Sequence, residues 1–216
     1  MKTAAFVPIK LNSQRVKGKN ILPLGEHPVC WYIFNALLNA EGIDEVYCYC
    51  SDEKIIEYIP EQVIFLKRDP VLDGNLVKGF QIYKSFIEEV DADTYVLCHA
   101  TSPFIKSETI TRGIRAVKEL GYDSAFSAKK EQTFAWYHGS PLNYDPNDVP
   151  RTQDIDPVFI ETSAFFIFEK EIFTKYHRRI GFNPYICETD QIESVDIDEQ
   201  DDYEFARKIA EGGLLK

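Results

Sequence analysis

The chain has 216 residues, 44% of them hydrophobic and 15 of them Phe. At this length folding can bury roughly 70% of the surface an unfolded chain exposes, so disorder and a pair of full domains are both set aside in favour of one domain. Lys and Arg number 24 against 35 Asp and Glu, and the resulting net charge of −11 repels nucleic acid and anionic lipid, which need a cationic face.

Taken in order, an apolar run predicts a first strand over Ala4–Ile9, followed by a polar, basic stretch and an amphipathic helix over Val29–Asn39. Gly42 stands where that helix should stop. Strands over Glu45–Cys50, Val63–Leu66, Thr94–His99 and Ser124–Ala128 then alternate with helical patterns over Glu53–Tyr58, Leu76–Val90 and Glu108–Leu120, the last closed by Gly121. This βαβ rhythm predicts an α/β fold of three layers, a mostly parallel sheet with helices on both faces. From Lys129 to Pro157 the rhythm fails; the segment is polar, aromatic and proline-bearing, and reads as an excursion from the sheet. A strand pair over Val158–Phe168, a helix over Glu169–Tyr176, a strand over Ile192–Ile197 and a helix over Asp202–Ala210 complete the prediction. There is no internal repeat.

The N-terminal apolar run ends at Ile9 with no small-residue cleavage site behind it, and nowhere do 18 apolar residues run together, which predicts a cytoplasmic chain without a membrane partner. Five cysteines, an odd number with no C-x-x-C pair, read as buried reduced thiols.

Three segments could carry chemistry. Ligands of open α/β sheets bind beyond the carboxyl ends of the strands, and the loop leaving the first strand gathers Lys10, Arg15, Lys17 and Lys19 with Ser13 and Asn20. Cations among short polar residues suit a polyphosphate; a solvated basic loop is the plainer reading. The loop matches neither G-x-x-x-x-G-K-[ST] nor G-x-G-x-x-G, which argues against a P-loop and a dinucleotide fold. Near the other end, Val195-Asp196-Ile197-Asp198 places two carboxylates on one face of the predicted strand. Oxygen donors so placed suit Mg²⁺, with substrate phosphates and water completing its shell; the alternative is a solvated acidic face leading into a helix. Third, Cys98-His99-Ala100-Thr101-Ser102-Pro103 ends a buried strand in hydroxyls and a proline. His99 there either donates to a base or sugar or is a satisfied core histidine.

Together these segments resemble the cytidylyltransferases that activate acidic sugars of nine and eight carbons, the acylneuraminate (CMP-sialic acid) synthetase family and its octulosonate (KDO) cousins. The resemblance spans nearly the whole chain. Of the family's opening Pro-Ala-Arg-x-Gly-Ser-Lys-x-x-x-Gly-Lys-Asn, this sequence keeps Pro8, Ser13, Gly18, Lys19 and Asn20, with Lys10 for the arginine and Gln14-Arg15 at the lysine. The family's Gln-Pro-Thr-Ser-Pro becomes His99-Ala100-Thr101-Ser102-Pro103. Arg68-Asp69-Pro70-Val71-Leu72 with Asn75 is similar to a nucleotide-holding motif. Gln153-Asp154-Ile155-Asp156-Pro157 matches the motif before the sugar-side strand, where Glu161-Thr162-Ser163 replaces Glu-Asn-Gly. The match at Asp196 and Asp198, running on to Asp202 and Phe205, is the most specific.

The resemblance implies a nucleotide-diphospho-sugar transferase-like fold over residues 1–216, a single nucleotidyltransferase domain with 129–157 as a dimerisation arm. It implies transfer of CMP from CTP to the anomeric hydroxyl of a sialic acid-like nonulosonate, with pyrophosphate leaving, and a homodimer. By the same token Lys10, Ser13, Arg15, Lys19, Asn20, Arg68, Asn75, His99, Thr101 and Ser102 would bind nucleotide. Gln153, Glu161 and Thr162 would bind the sugar. Asp196 and Asp198 would hold Mg²⁺, and with Lys19 would carry catalysis, the metal polarising the α-phosphate and acidifying the sugar hydroxyl. Two other readings share the sheet: a glycosyltransferase with an Asp-x-Asp metal site, and a nucleotide- or sugar-binding relative without activity.

Overall fold

A computed structural model describes residues 1–213. Seven strands form one sheet: β1 (Thr3–Ile9), β2 (Glu45–Cys50), β3 (Ile64–Lys67), β4 (Thr94–Cys98), β5 (Ser124–Glu131), β6 (Val158–Glu169) and β7 (Pro184–Thr189). Their spatial order is β7-β5-β6-β4-β1-β2-β3. All neighbours pair in parallel except β6, which runs antiparallel to both β4 and β5. Helices α1 (Val29–Asn39), α2 (Gly79–Glu89), α3 (Ser107–Glu119), α4 (Lys170–Tyr176) and α5 (Gln200–Glu211) complete the frame.

The strands' period of two sorts their side chains into two cores. Ala5, Val7 and Ile9 of β1 pack with Val96 and Cys98 of β4 and Phe165 and Ile167 of β6 under α1 and α3. Ala4 and Phe6 point the other way, joining Tyr95, Leu97, Phe166 and Phe168 under α2 and α4. Both faces are thus covered, as a mostly parallel sheet requires. A third, smaller core seats α5 through Tyr203, Ala206 and Ile209 on Leu24, Phe104, Val195 and Ile197. Helix α3 approaches so closely that a Cβ at Gly113 would lie 2.7 Å from Ile167 Cδ1 and 3.0 Å from Cys187 Sγ. All five cysteines are free and buried, and burial pushes the Cys30 and Cys187 thiols up to about 12. Among the described residues no helix is long and apolar enough to cross a membrane.

The structure departs from the expected elements at five points. The last strand is Pro184–Thr189, where no strand was expected; it adds in parallel to β5 and buries Cys187. Ile192–Ile197 is not a strand: after a turn, Val195 and Ile197 are buried and Asp196 and Asp198 half-exposed, but the segment joins no ladder. Its alternation is real and is held by the Ile197 amide donating to the Thr101 carbonyl at 2.8 Å. Val158–Glu169 is one bent strand, its register shifting between Glu161 and Phe166, where Ser163 has φ +58°. Glu53–Tyr58 winds as 3-10 helix, and β5 continues to Glu131, so the excursion leaves the sheet only there.

Arg68, singled out by resemblance as a nucleotide ligand, is only 2% exposed. Its guanidinium donates to the carbonyls of Ile9 at 2.9 Å and Tyr49 at 3.3 Å and pairs with Asp73, tying together the ends of β1 and β2. Removing one partner of a buried pair strands the other. Arg68→Met should therefore lower unfolding free energy in urea by about 2 kcal/mol or more, whereas a purely ligand-contacting arginine would leave the midpoint unmoved.

Candidate active site

The chain winds β1, β2 and β3 outward in one direction and then crosses to place β4 on the other side of β1. The loops leaving β1 and β4 therefore diverge, and a crevice opens at this switch point. A cleft of about 500 Å³ lies there, walled by Lys10, Ser13, Arg15, Lys19 and Asn20 from the first loop, Asn75 from the turn before α2, and His99 and Thr101 from the end of β4.

Gly18, at φ +65°, turns the first loop into a 3-10 turn over Lys19–Ile21, a conformation glycine adopts without a Cβ clash. Asn20 braces the loop by donating Nδ2 to the Lys10 carbonyl at 3.1 Å, and its buried Oδ1 has no partner. Lys19 is nearly enclosed and spans to the far end of the chain: Nζ donates to the Ile197 carbonyl at 2.6 Å and reaches Asp198 Oδ1 at 3.3 Å. Arg15 Nη2 meets the same oxygen at 2.9 Å. Partial burial works to raise the Asp198 pKa, but the Arg15 hydrogen bond and the Lys19 charge hold the carboxyl below its ordinary value. Asp196 makes no ion pair among the described residues; the Ser102 hydroxyl lies 3.5 Å from its Oδ1. Asp202 accepts from the Asp198 amide at 3.0 Å and the Glu199 amide at 2.8 Å, fixing the approach to α5.

His99 stands at the opposite wall. Its Nδ1 lies 2.6 Å from the Ser163 carbonyl, which can only accept, so Nδ1 carries the proton and Nε2 of the neutral ring is an acceptor. Burial is the main influence on this ring and lowers its pKa, against the Ser163 hydrogen bond. The Ser163 carbonyl reaches it because the backbone is left-handed there, the conformation a glycine would take without strain.

The structure thus gathers Lys10, Ser13, Arg15, Lys19, Asn20, Asn75, His99 and Thr101 around one cleft, with Ser102, Asp196 and Asp198 beside it. Other candidates stand apart. Arg68 is buried against the Ile9 carbonyl, Gln153 is exposed on the excursion, Thr162 donates to Ser127 Oγ at 2.8 Å, and Glu161 pairs with Arg179. Tyr83 and Arg179, near His99, were not singled out in the sequence; an arginine doublet following α4 in an acidic chain was the available signal. Asp196 and Asp198 offer oxygen donors suited to a hard divalent cation. Among the described residues no group of three or more His, Cys, Asp or Glu gathers for a metal, so water and substrate oxygens would have to complete the shell.

An open α/β sheet with a basic loop and a carboxylate pair at its switch point is the architecture of a nucleotide-handling transferase. The chain belongs to the cytidylyltransferase family, whose model matches residues 4–216. It is similar to the N-acylneuraminate cytidylyltransferase of Oncorhynchus mykiss, 26% identical over 77% of this chain and 41% of that one. It is also similar to that of Escherichia coli O18:K1:H7, 24% identical over 96% and 52%. The chain spans about half the length of these curated relatives. Among solved structures, a CMP:2-keto-3-deoxy-manno-octonic acid synthetase complexed with CTP superposes with TM-score 0.74, covering 99% of this chain and 100% of that one at 13% identity, a likeness of fold.

The His99 environment yields a pH dependence. Because its folded pKa lies below that of the unfolded chain, the unfolded state takes up the proton first as pH falls, so stability is lost below the ordinary imidazole value of about 6.5. In an NMR titration His99 should show a midpoint below that of an exposed histidine, and His99→Gln should flatten the stability slope between pH 7 and 5. A midpoint at or above 6.5 would contradict the assignment.

Proposed function

We propose that this protein transfers CMP from CTP to the anomeric hydroxyl of an acidic keto-sugar, a sialic acid-like nonulosonate, releasing pyrophosphate, and that it works in the cytoplasm with Mg²⁺ as a homodimer. The observation that carries the reading is the Lys19 bridge, which sets a basic loop and a carboxylate pair against one cleft. The relatives' printed activities and the matched family support it.

In the reaction the anomeric oxygen forms a bond to the α-phosphorus, its proton passing to water, while the bond from that phosphorus to the pyrophosphate oxygen breaks. Such transfer asks for positioning and for neutralisation of charge rather than covalent chemistry by the protein. Lys10, Arg15 and Lys19 hold the triphosphate and offset the charge that grows on the departing pyrophosphate. Ser13 and Asn20 add uncharged contacts from the same loop. The acceptor at His99 Nε2, which the Tyr83 hydroxyl meets at 3.4 Å, suits an amino group such as that of cytosine, which disfavours uracil's carbonyl in its place. Asp196 and Asp198 would hold Mg²⁺, which when bound polarises the α-phosphate and acidifies the attacking hydroxyl. Arg15 and Lys19 would then release Asp198 to the metal and turn to the phosphates.

Side-by-side assays of Mg²⁺-dependent pyrophosphate release should show Asp196→Asn and Asp198→Asn each losing about 10²-fold or more, and exposed Asp201→Asn little. Asp202→Asn should cost an intermediate amount through its amide cap. Equal tolerance of all four would remove the catalytic assignment, and a wild type inert toward every keto-sugar acid would favour a binding protein.

The excursion after Glu131 supports the dimer. Trp136 and Tyr137 are 59% and 66% exposed at the tip of a small hairpin, and Ile160 on the neighbouring part of β6 is also exposed. Aromatic anchors with a polar rim suit an interface. Trp136→Ala combined with Tyr137→Ala should halve the mass seen in sedimentation equilibrium; a monomeric wild type or an unchanged dimer would refute the arm.

A further inference from the structure

A second constellation lies across His99 from the basic loop. Arg179, in the turn between α4 and β7, lays its guanidinium over the face of Phe166, with Cζ 3.7 Å from the ring centroid. Its Nη2 donates to Glu161 Oε1 at 3.0 Å. Phe166 meets the His99 ring edge-on, centroids 6.2 Å apart, so a single aromatic ring separates a part-exposed guanidinium from the cleft wall. The Tyr83 hydroxyl, 3.4 Å from His99 Nε2, closes the group. The Arg179 charge bears on both Tyr83 and His99, and the charge of Asp196 also bears on His99.

We propose that Arg179 is the anchor for the acceptor's carboxylate, an inference that rests on the acceptor being an acidic keto-sugar. In the ring form of a 2-keto acid the carboxylate is carried on the anomeric carbon itself. Placing the anomeric oxygen for attack thus brings a second anion next to the triphosphate and to Asp196 and Asp198, where like charges repel. A cation must face that carboxylate. Lys10, Arg15 and Lys19 approach from the β1 loop and are committed to phosphate, whereas Arg179 comes from the His99 side.

Its chemistry fits. A guanidinium is weakly hydrated, always charged, and binds carboxylate through two parallel N–H bonds. Stacking on Phe166 fixes its plane. Glu161 is its one ion-pair partner among the described residues, and one carboxylate holding one edge of the fork leaves other donors for a ligand. Glu161 thus acts as a positioning residue.

The test compares wild type, Arg179→Met and Arg179→Lys in pyrophosphate release from CTP with eight- and nine-carbon keto-sugar acids and with the corresponding carboxamides. Methionine keeps the apolar contact with Phe166; lysine keeps the charge without the fork. The wild type should prefer acid to amide. Arg179→Met should raise the KM for the acid about 30-fold or more, leave the KM for CTP unchanged and use acid and amide alike, with lysine recovering part of the preference. An unchanged KM for the acid or an unchanged acid-to-amide ratio in Arg179→Met overturns the proposal while leaving the transferase reading intact. A wild type inert with every sugar acid overturns both. Should Arg179→Met fail to fold by circular dichroism, the ratio for Arg179→Lys decides: reduced supports the anchor, unchanged overturns it.

Discussion

One ammonium ties the two ends of this chain together. Lys19 leaves the loop after β1 and buries its head against the Ile197 carbonyl and Asp198, residues that precede the last helix. A nearly enclosed cation cannot stay without partners, and its partners here are the segment that carries both candidate metal ligands. The loop's shape, set by Gly18 and braced by Asn20, determines where that ammonium sits. The extended segment's shape is set from the other side by burial of Val195 and Ile197 and by the Thr101 carbonyl. Cations and carboxylates converge because each is fixed by its own local physics and then by the other.

That arrangement answers the problem posed by a net charge of −11. An anionic substrate gains nothing from the surface as a whole and must be met by a few placed cations. The candidates differ in position: a group on the β1 loop, and Arg179 near His99. Arg68 has the same charge but is buried, and its bonds to the Ile9 and Tyr49 carbonyls hold the strand ends from which the site is built.

How much of this was legible in the sequence follows from which forces are local. Helix α1 and strand β2 match the predicted spans because a continuous apolar period within one segment decides them. Strand β7 was missed because Pro184–Thr189 is half polar, and its strand character comes from pairing with β5, a tertiary effect. Val195 and Ile197 gave the right faces and the wrong element, since alternation reports burial and not hydrogen-bond partners. At the site, the basic loop and the Asp-x-Asp pair were readable as chemistry, but their meeting depends on a contact spanning most of the chain. The setting of Arg179 was not readable, because Phe166, His99 and Glu161 are scattered in sequence and gathered only by the sheet and by the bend in β6.

The central claim is that the β1 loop and the Asp196–Asp198 segment enclose one nucleotide–metal site. A crystal structure with a non-hydrolysable CTP analogue and Mn²⁺ tests it most directly, because anomalous scattering locates the metal independently of the nucleotide. The account predicts an anomalous peak bonded to Asp196, Asp198 and the α-phosphate, with Lys10, Arg15 and Lys19 on the phosphates. A metal bound elsewhere, or a triphosphate bound while Arg15 and Lys19 both remain on Asp198, would contradict it.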